Sequence, residues 1–360
     1  MDSFPVRTTR ARPARRRRLG TALFVALVLG ASVACGTDPV TPTASTPTPT
    51  PPPPPPPPPP VYWPLTGIES GAVADHPALA VKIENSTDSR PQTGLNSADV
   101  VWEEVVEGGI TRFVAVYHST MPTEIGPIRS VRPMDPAIAA PLRGLFAFSG
   151  GQRPFVDAVA DAGLQVISHD AGDAGFYRLS TRSAPHNVYA DTTAFLAQAD
   201  AGHQVAPAPQ FSIAPPGQQP TAPATGVPTT VLNLKLSGVG RPTWTWHAPA
   251  AAWHRAEGGT PATEADGSPL RAANVVVLRV AVVNTGFSDP AGNPVPETQM
   301  VGSGEALIAT GGATVAATWS KASLDAPVVL TDAAGLTVQL APGNTWVELV
   351  PTRTGSVTVG

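Results

Sequence analysis

Short runs of apolar and β-branched residues dominate the first part of the chain after residue 60. Three of them have the length of a strand: 79–84 (LAVKIE), 99–106 (DVVWEEVV) and 112–118 (RFVAVYH). Gly108 and Gly109 stand between the second and third runs, and such a glycine pair permits a tight reversal of the chain. The pattern therefore predicts that these two strands form a hairpin.

Two segments of the same region have apolar residues at helical spacing. The first covers residues 154–162 and ends at Gly163, and the second covers residues 191–201, begins with Asp191 and ends at Gly202. Strands mixed with helices, with one hairpin among them, predict an α/β domain of the α+β, mixed-sheet kind over residues 61–204.

From Val227 onward the pattern changes to many short strand candidates separated by Gly, Pro, Asn and Asp. It predicts a β-rich C-terminal domain over residues 227–360. The intervening residues 205–226 are rich in Ala, Pro and Gln, which indicates a linker or an ordered crossing segment.

The first 34 residues have the pattern of a signal peptide. Seven arginines and one acid, Asp2, precede an apolar run of 16 residues from Leu19 to Ala34, which ends in small residues. A transmembrane helix needs about 20 apolar residues, so this run is short for a membrane span. We therefore expect the protein to be exported.

Cys35 is the only cysteine of the chain and directly follows the apolar run. Lipoproteins carry their diacylglyceryl and palmitate groups on a cysteine at this place, so we expect Cys35 to be lipidated. The anchor would hold the protein on the outer face of the bacterial plasma membrane. Ser32 departs from the leucine usual three residues before such a cysteine, and ordinary signal peptidase would also cut before Cys35. Secretion without an anchor is therefore the alternative.

Residues 35–60 are predicted to be a disordered stalk that includes the lipidation site. They contain Thr-Pro repeats followed by ten consecutive prolines, which cannot build a core and favour extended polyproline II. The whole N-terminal 60 residues are accordingly expected to lie outside the folded part.

The net charge of the chain argues against one class of function, nucleic-acid binding. The chain carries −4, and the basic signal peptide contributes seven arginines and one aspartate, which leaves about −10 for the mature protein. Nucleic-acid binding needs clustered positive charge, so the composition argues against it. With no second cysteine the exported domain has no disulfides and depends on core burial.

Ordered matches to one known family lie at residues 90–113, 125–133, 184–191, 272–278, 302–312, 319–321 and 342–351. These stretches, among them IGPIRSVRP and PGNTWVELVP, resemble the YerB-like lipoproteins, a bacterial family labelled as a domain of unknown function. The resemblance implies a lipid-anchored or secreted protein with N-terminal and C-terminal YerB-like domains. It implies no reaction.

Residues 61–204, which we call the first block, contain several arginines close to a histidine and an asparagine. The candidate ligand-binding residues are Arg90, Arg112, Arg129, Arg132, Arg182, His186, Asn187, Glu103 and Glu107. Convergent guanidinium groups bind phosphate or carboxylate with paired hydrogen bonds. Structural salt bridges between these arginines and nearby acids are the alternative explanation.

Several other features have a functional and a structural explanation. Glu103 and Glu107, four apart on a predicted strand, would share a face as acid and base or as counter-charges for Arg112. The loop HDAGDAG at 169–175 fits a metal or carboxylate site, or more simply a turn. The tryptophans of residues 227–360, which we call the second block, could form a platform on which sugars stack, although large aromatic side chains in such a domain more often belong to the hydrophobic core.

Two functions follow from these residues. The first is a surface protein that binds an anionic cell-wall polymer or lipid-linked precursor through the arginines. The alternative is an envelope enzyme that transfers or hydrolyses phosphodiester or glycan bonds, in which Glu103, Glu107 or His186 moves protons. No cofactor and no metal site are expected.

Overall fold

The computed structural model describes residues 59–360. The predicted signal peptide, Cys35 and almost all of the proline-rich stalk lie outside the described residues. The described residues 59–360 belong to one compact unit.

The first block contains three helices, α1 (Asp135–Ala139), α2 (Arg153–Asp161) and α3 (Thr192–Leu196). Its strands are β1 (Val61–Tyr62), β2 (Glu69–Ser70), β3 (Leu79–Glu84), β4 (Val100–Val105), β5 (Thr111–Tyr117), β6 (Leu145–Phe148), β7 (Gln165–Ser168), β8 (Phe176–Arg178) and β9 (Val188–Ala190).

The remainder contains one short helix, α4 (Thr221–Thr225). Its strands are β10 (Val227–Pro228), β11 (Val231–Lys235), β12 (Pro242–His247), β13 (Ala252–Glu257), β14 (Thr260–Pro261), β15 (Arg271–Ala272), β16 (Asn274–Val280), β17 (Val282–Ser288), β18 (Pro294–Thr298), β19 (Gly302–Thr310), β20 (Ala313–Lys321), β21 (Val329–Asp332), β22 (Thr345–Pro351) and β23 (Ser356–Val359).

One mixed sheet of eleven strands runs through both blocks, in the order β10-β20-β19-β16-β22-β4-β5-β3-β6-β7, with β21 beside β20. β22 of the second block pairs in parallel with β4 of the first, with Glu348 opposite Glu103. The predicted mixed sheet and β-rich second block are confirmed. The two blocks meet through backbone hydrogen bonds at the middle of this sheet.

Apolar side chains cover both faces of the large sheet. One face packs against α1 and α2 through residues such as Val114, Phe148 and Val159. The other face packs against a second, antiparallel sheet of β14-β13-β12-β11-β23 with β15, from which Trp244 and Trp253 contribute fully buried rings. Because both faces are covered, the central strands are buried along their whole length.

The predicted local elements agree with the structure in kind and differ at their ends. β4 and β5 form the predicted hairpin, with a 3₁₀ turn over Glu107–Gly109 between them. α2 matches the predicted helix within one residue, and Asp191 caps α3 by accepting the Thr193 amide at 2.9 Å. α3 is shorter than predicted, because the Gln198 and Ala199 amides donate to the carbonyl groups of Phe195 and Leu196, three residues back, and so form turns instead of a further α-helical turn.

Residues 205–226 cross the large sheet. Phe211 is buried and stacks on Trp102, with ring centroids 6.1 Å apart. Ala214 and Thr221 donate their amides to the carbonyl groups of Leu340 and Gln339. The segment is therefore ordered by contacts with both blocks.

Candidate functional site

The segment that carries Arg129 and Arg132 lies across the carboxyl ends of two parallel strands. The Arg129 amide donates to the Lys82 carbonyl of β3, and the Ser149 amide after β6 donates to the Arg129 carbonyl. In sheets of this kind, ligands bind in the crevice outside the carboxyl ends of the strands. The chain thus brings its arginines to the edge where a ligand is expected.

We use the name arginine cluster for Arg112, Arg129, Arg132, Glu84, Glu107 and His186. Glu84, the last residue of β3, lies between two bases: its Oε1 is 3.3 Å from Arg129 Nε and its Oε2 is 2.9 Å from His186 Nδ1. Arg132 donates through Nη2 to Glu107 Oε2 at 2.8 Å. Arg129, Arg132 and His186 keep 24%, 11% and 22% of their side-chain surface exposed, so the cluster is open to solvent.

Arg112 is the buried member of the cluster and has no carboxylate partner within 4 Å among residues 59–360. Its Nη1 donates to the Ser130 carbonyl at 2.9 Å, and its Nε lacks a hydrogen bond within the same residues. Burial, followed by the charges of Arg132 and Arg129, lowers the pKa of Arg112 to about 9. The charged form of this side chain is therefore poorly compensated.

A second group of charges lies beneath the cluster on the same face of the sheet. Lys82 of β3 contacts Glu104 of β4 and is 2.7 Å from Asp135 Oδ1, and all three side chains are fully buried. Burial and the neighbouring Asp135 raise the pKa of Glu104 to about 8, although Lys82 opposes the shift. Asp135 also accepts the Arg132 amide at 2.6 Å, so it fixes the backbone that carries this arginine.

The structure separates other predicted site residues from the cluster. Arg90 donates to Asn85 and lies 3.4 Å from Glu257, on the side of β3 opposite to Glu84. Arg182 donates to the carbonyl groups of Ser89 and Pro91 and so holds a loop. Asn187 is nearly buried and accepts from Arg178 at 2.8 Å.

The prediction that Glu103 and Glu107 share a face of one strand is wrong. β4 ends at Val105, and the turn that follows breaks the alternation, so Glu107 contacts Arg132 while Glu103 contacts Arg255. Neither acid forms a salt bridge with Arg112, the partner proposed for both. Glu103 is fully buried and hydrogen-bonded to Thr111, so it is not placed to exchange protons with a substrate.

For the 169–175 loop and for the tryptophans, the structure supports the structural explanation over the functional one. In the 169–175 loop the Asp173 carboxylate accepts the Ser168 amide at 2.7 Å, as expected for a turn. Trp244, Trp253, Trp319 and Trp346 are buried, and Trp246 packs against Trp253, so the tryptophans belong to the core.

Sequence reasoning did not single out several buried charged residues, among them Lys82, Glu84, Arg255 and Glu348. Lys82 was detectable as the one cation within the apolar run LAVKIE. Arg255 was not, because two of its three acidic partners, Glu103 of β4 and Glu348 of β22, lie far from it in the chain.

Comparison with known proteins identifies both blocks. Residues 65–204 match the N-terminal domain, and residues 232–347 the C-terminal domain, of a family described as "Protein of unknown function (DUF3048)". The chain belongs to this family. The resemblance read from the sequence is thereby confirmed, and β4 and β22 pair across the two DUF3048 domains.

A Bacillus subtilis (strain 168) protein named "Putative lipoprotein YerB" is 33% identical over 130 residues, which cover 35% of this chain and 39% of that protein. The aligned region thus spans well under half of this curated relative. The crystal structure of YerB protein from Bacillus subtilis matches with a TM-score of 0.70 and 21% identity, over 83% of this chain and 99% of that chain. This likeness shows the fold. No helix within residues 59–360 is long and apolar enough to cross a membrane.

Proposed function

We propose that this DUF3048 protein is exported, is anchored through Cys35 on the outer face of the plasma membrane, and binds an anionic phosphate-bearing envelope component at the arginine cluster. The observation that carries the proposal is the charge imbalance of the cluster. Three guanidinium groups, Arg112, Arg129 and Arg132, share two carboxylates, and Arg112 has neither within salt-bridge distance.

A bound phosphate would supply the missing counter-charge. A buried cation without a partner is costly, and an anion beside it restores the lost interaction. Guanidinium groups match phosphate oxygens with paired hydrogen bonds, and Arg129 and Arg132 are exposed enough to reach a ligand from solvent. The salt bridges to Glu84 and Glu107 orient these arginines without neutralising the whole cluster.

The test measures thermal unfolding with inorganic phosphate and with poly(glycerol phosphate). A ligand that binds the folded state raises its stability by mass action, by about 2.7 kcal/mol at a hundredfold excess over Kd. We expect this increase for the wild type and its loss in Arg129→Gln. Arg153→Gln is the matched control, because Arg153 is 86% exposed and, within residues 59–360, forms a salt bridge only with Asp157 in its own helix. If Arg129→Gln lowers the stability of the protein but leaves phosphate binding unchanged, the arginine cluster is a structural salt-bridge network and not a binding site.

The anchor has a separate test. The name of the Bacillus subtilis relative supports a lipoprotein, and Cys35 is the only thiol available for lipidation in this sequence. Palmitate labelling and membrane fractionation of the full chain should both be lost in Cys35→Ala. A labelled Cys35→Ala protein in the membrane fraction would refute the anchor.

A further inference from the structure

A cavity of about 460 Å³ lies where the two DUF3048 domains meet, apart from the arginine cluster. One wall is the loop that follows β3, and the other is the β13–β14 region and its continuation. The cavity is lined by Thr87, Arg90, Glu257, Thr260, Thr263 and Leu270, among others. Its volume falls in the range of small-molecule sites, and such sites are frequent at domain junctions.

Arg90 is held rigidly at this cavity. Its Nε and Nη2 donate to the side-chain and main-chain oxygens of Asn85 at 3.0 and 2.9 Å. Asn85 is buried and is fixed in turn by Thr111 and Gln92. The Arg90 side chain keeps 30% of its surface exposed, and its Nη1 has no hydrogen bond within residues 59–360. Arg90 therefore presents a free donor in a fixed position.

Glu257 presents an acceptor beside that donor. Its Oε1 receives Arg255 Nε at 2.8 Å, while its Oε2 lies 3.4 Å from Arg90 Nη2 and accepts no hydrogen bond in the described part of the chain. A planar donor next to a carboxylate acceptor matches two adjacent hydroxyl groups, each of which both donates and accepts. The pair carries no net charge, because one guanidinium faces one carboxylate.

The rest of the cavity suits a hydroxylated ring. The hydroxyl groups of Thr87, Thr260 and Thr263 form no hydrogen bond within residues 59–360, so they are available to a ligand. Pro91, Pro261 and Leu270 supply apolar surface for the carbon-bound hydrogens of such a ring. An anion is disfavoured, because it would meet Glu257 as well as Arg90.

We propose that this cavity binds a neutral sugar residue through two adjacent ring hydroxyls, with Arg90 donating to one and Glu257 accepting from the other. The inference does not depend on phosphate binding at the arginine cluster. It assigns the protein a second ligand class at a second site.

The test uses saturation-transfer NMR and titration of the full chain with the methyl glycosides of glucose, galactose and N-acetylglucosamine. We expect at least one glycoside to bind the wild type, with affinity lowered about tenfold or more in Arg90→Gln, because a hydrogen bond to a charged group is lost. Thr263→Val is a milder second variant that keeps the side-chain shape, and it should weaken binding several-fold. Arg271→Gln is the control, since Arg271 is exposed on β15 outside the cavity.

The proposal would be overturned if none of the three glycosides bound at concentrations up to about 50 mM, roughly the weakest useful affinity. Equal binding by the wild type and both cavity variants would also overturn it. So would displacement of a bound glycoside by inorganic phosphate. Phosphate stabilisation should persist in Arg90→Gln and disappear in Arg129→Gln. The two sites can therefore fail independently of each other.

Discussion

Arg255 Nη2 lies 2.5 Å from Glu103 Oε2, and both side chains are completely buried. The pair joins β13 of the C-terminal DUF3048 domain to β4 of the N-terminal one. Arg255 also contacts Glu348 at 2.7 Å and packs against the rings of Phe113, Trp244 and Trp346. Burial by itself raises the pKa of Glu103, but the charge of Arg255 and the hydrogen bonds to Glu348, Thr111 and Arg255 together hold that pKa below its usual value.

Replacement of Arg255 by methionine should destabilise the protein strongly. The change leaves Glu103 and Glu348 buried without their cation, and breaking a buried pair from one side costs about 3–5 kcal/mol. Urea unfolding of Arg255→Met against the exposed control Arg271→Met measures the effect. Adding Glu103→Gln to Arg255→Met should restore part of the loss. Equal midpoints for the two single variants would contradict a stabilising role.

The raised pKa of Glu104 predicts that the folded protein becomes less stable as the pH rises from acidic to neutral. Its pKa of about 8 lies above the ordinary value of 4.5, so the folded state holds a proton that the unfolded state has released. The free energy of unfolding therefore falls as pH rises from about 4.5 to about 8, and the fall ends above the folded-state pKa. Denaturation from pH 5 to 8 should show this slope in the wild type and a smaller slope in Glu104→Gln. The exposed Glu305→Gln variant should keep the wild-type slope.

Gly144 should not tolerate a side chain. A Cβ there would lie 2.2 Å from the Ala78 carbonyl oxygen, which accepts the Leu145 amide and so cannot move away without breaking the β3–β6 pairing. Gly144→Ala should lower the free energy of unfolding by about 1–3 kcal/mol. Gly71→Ala is the control, because a Cβ at Gly71 meets nothing within 4 Å. Similar unfolding curves for the two variants would show that the backbone adjusts.

The local pattern of the sequence was sufficient for the β4–β5 hairpin, for α2 and for the cap of α3. These elements depend on neighbours a few residues away, such as Asp191 and the Thr193 amide. The faces of Glu103 and Glu107 were not predictable in the same way, because the strand ends at Val105 and the turn depends on how β5 returns. A shift of one residue at a strand end moves a side chain to the other face.

Family membership and the residue types of the arginine cluster were determined by the sequence alone, because ordered motifs and charged residues are readable without a fold. Only the tertiary structure decided which charges meet. In the fold, Arg129 and Arg132 lie beside the buried Arg112, and Arg90 lines a cavity beside Glu257. Arg255 contacts acids from three separate strands. Pairing of β4 with β22 brings together residues 245 positions apart, such as Val100 and Thr345, and no local pattern specifies such a contact.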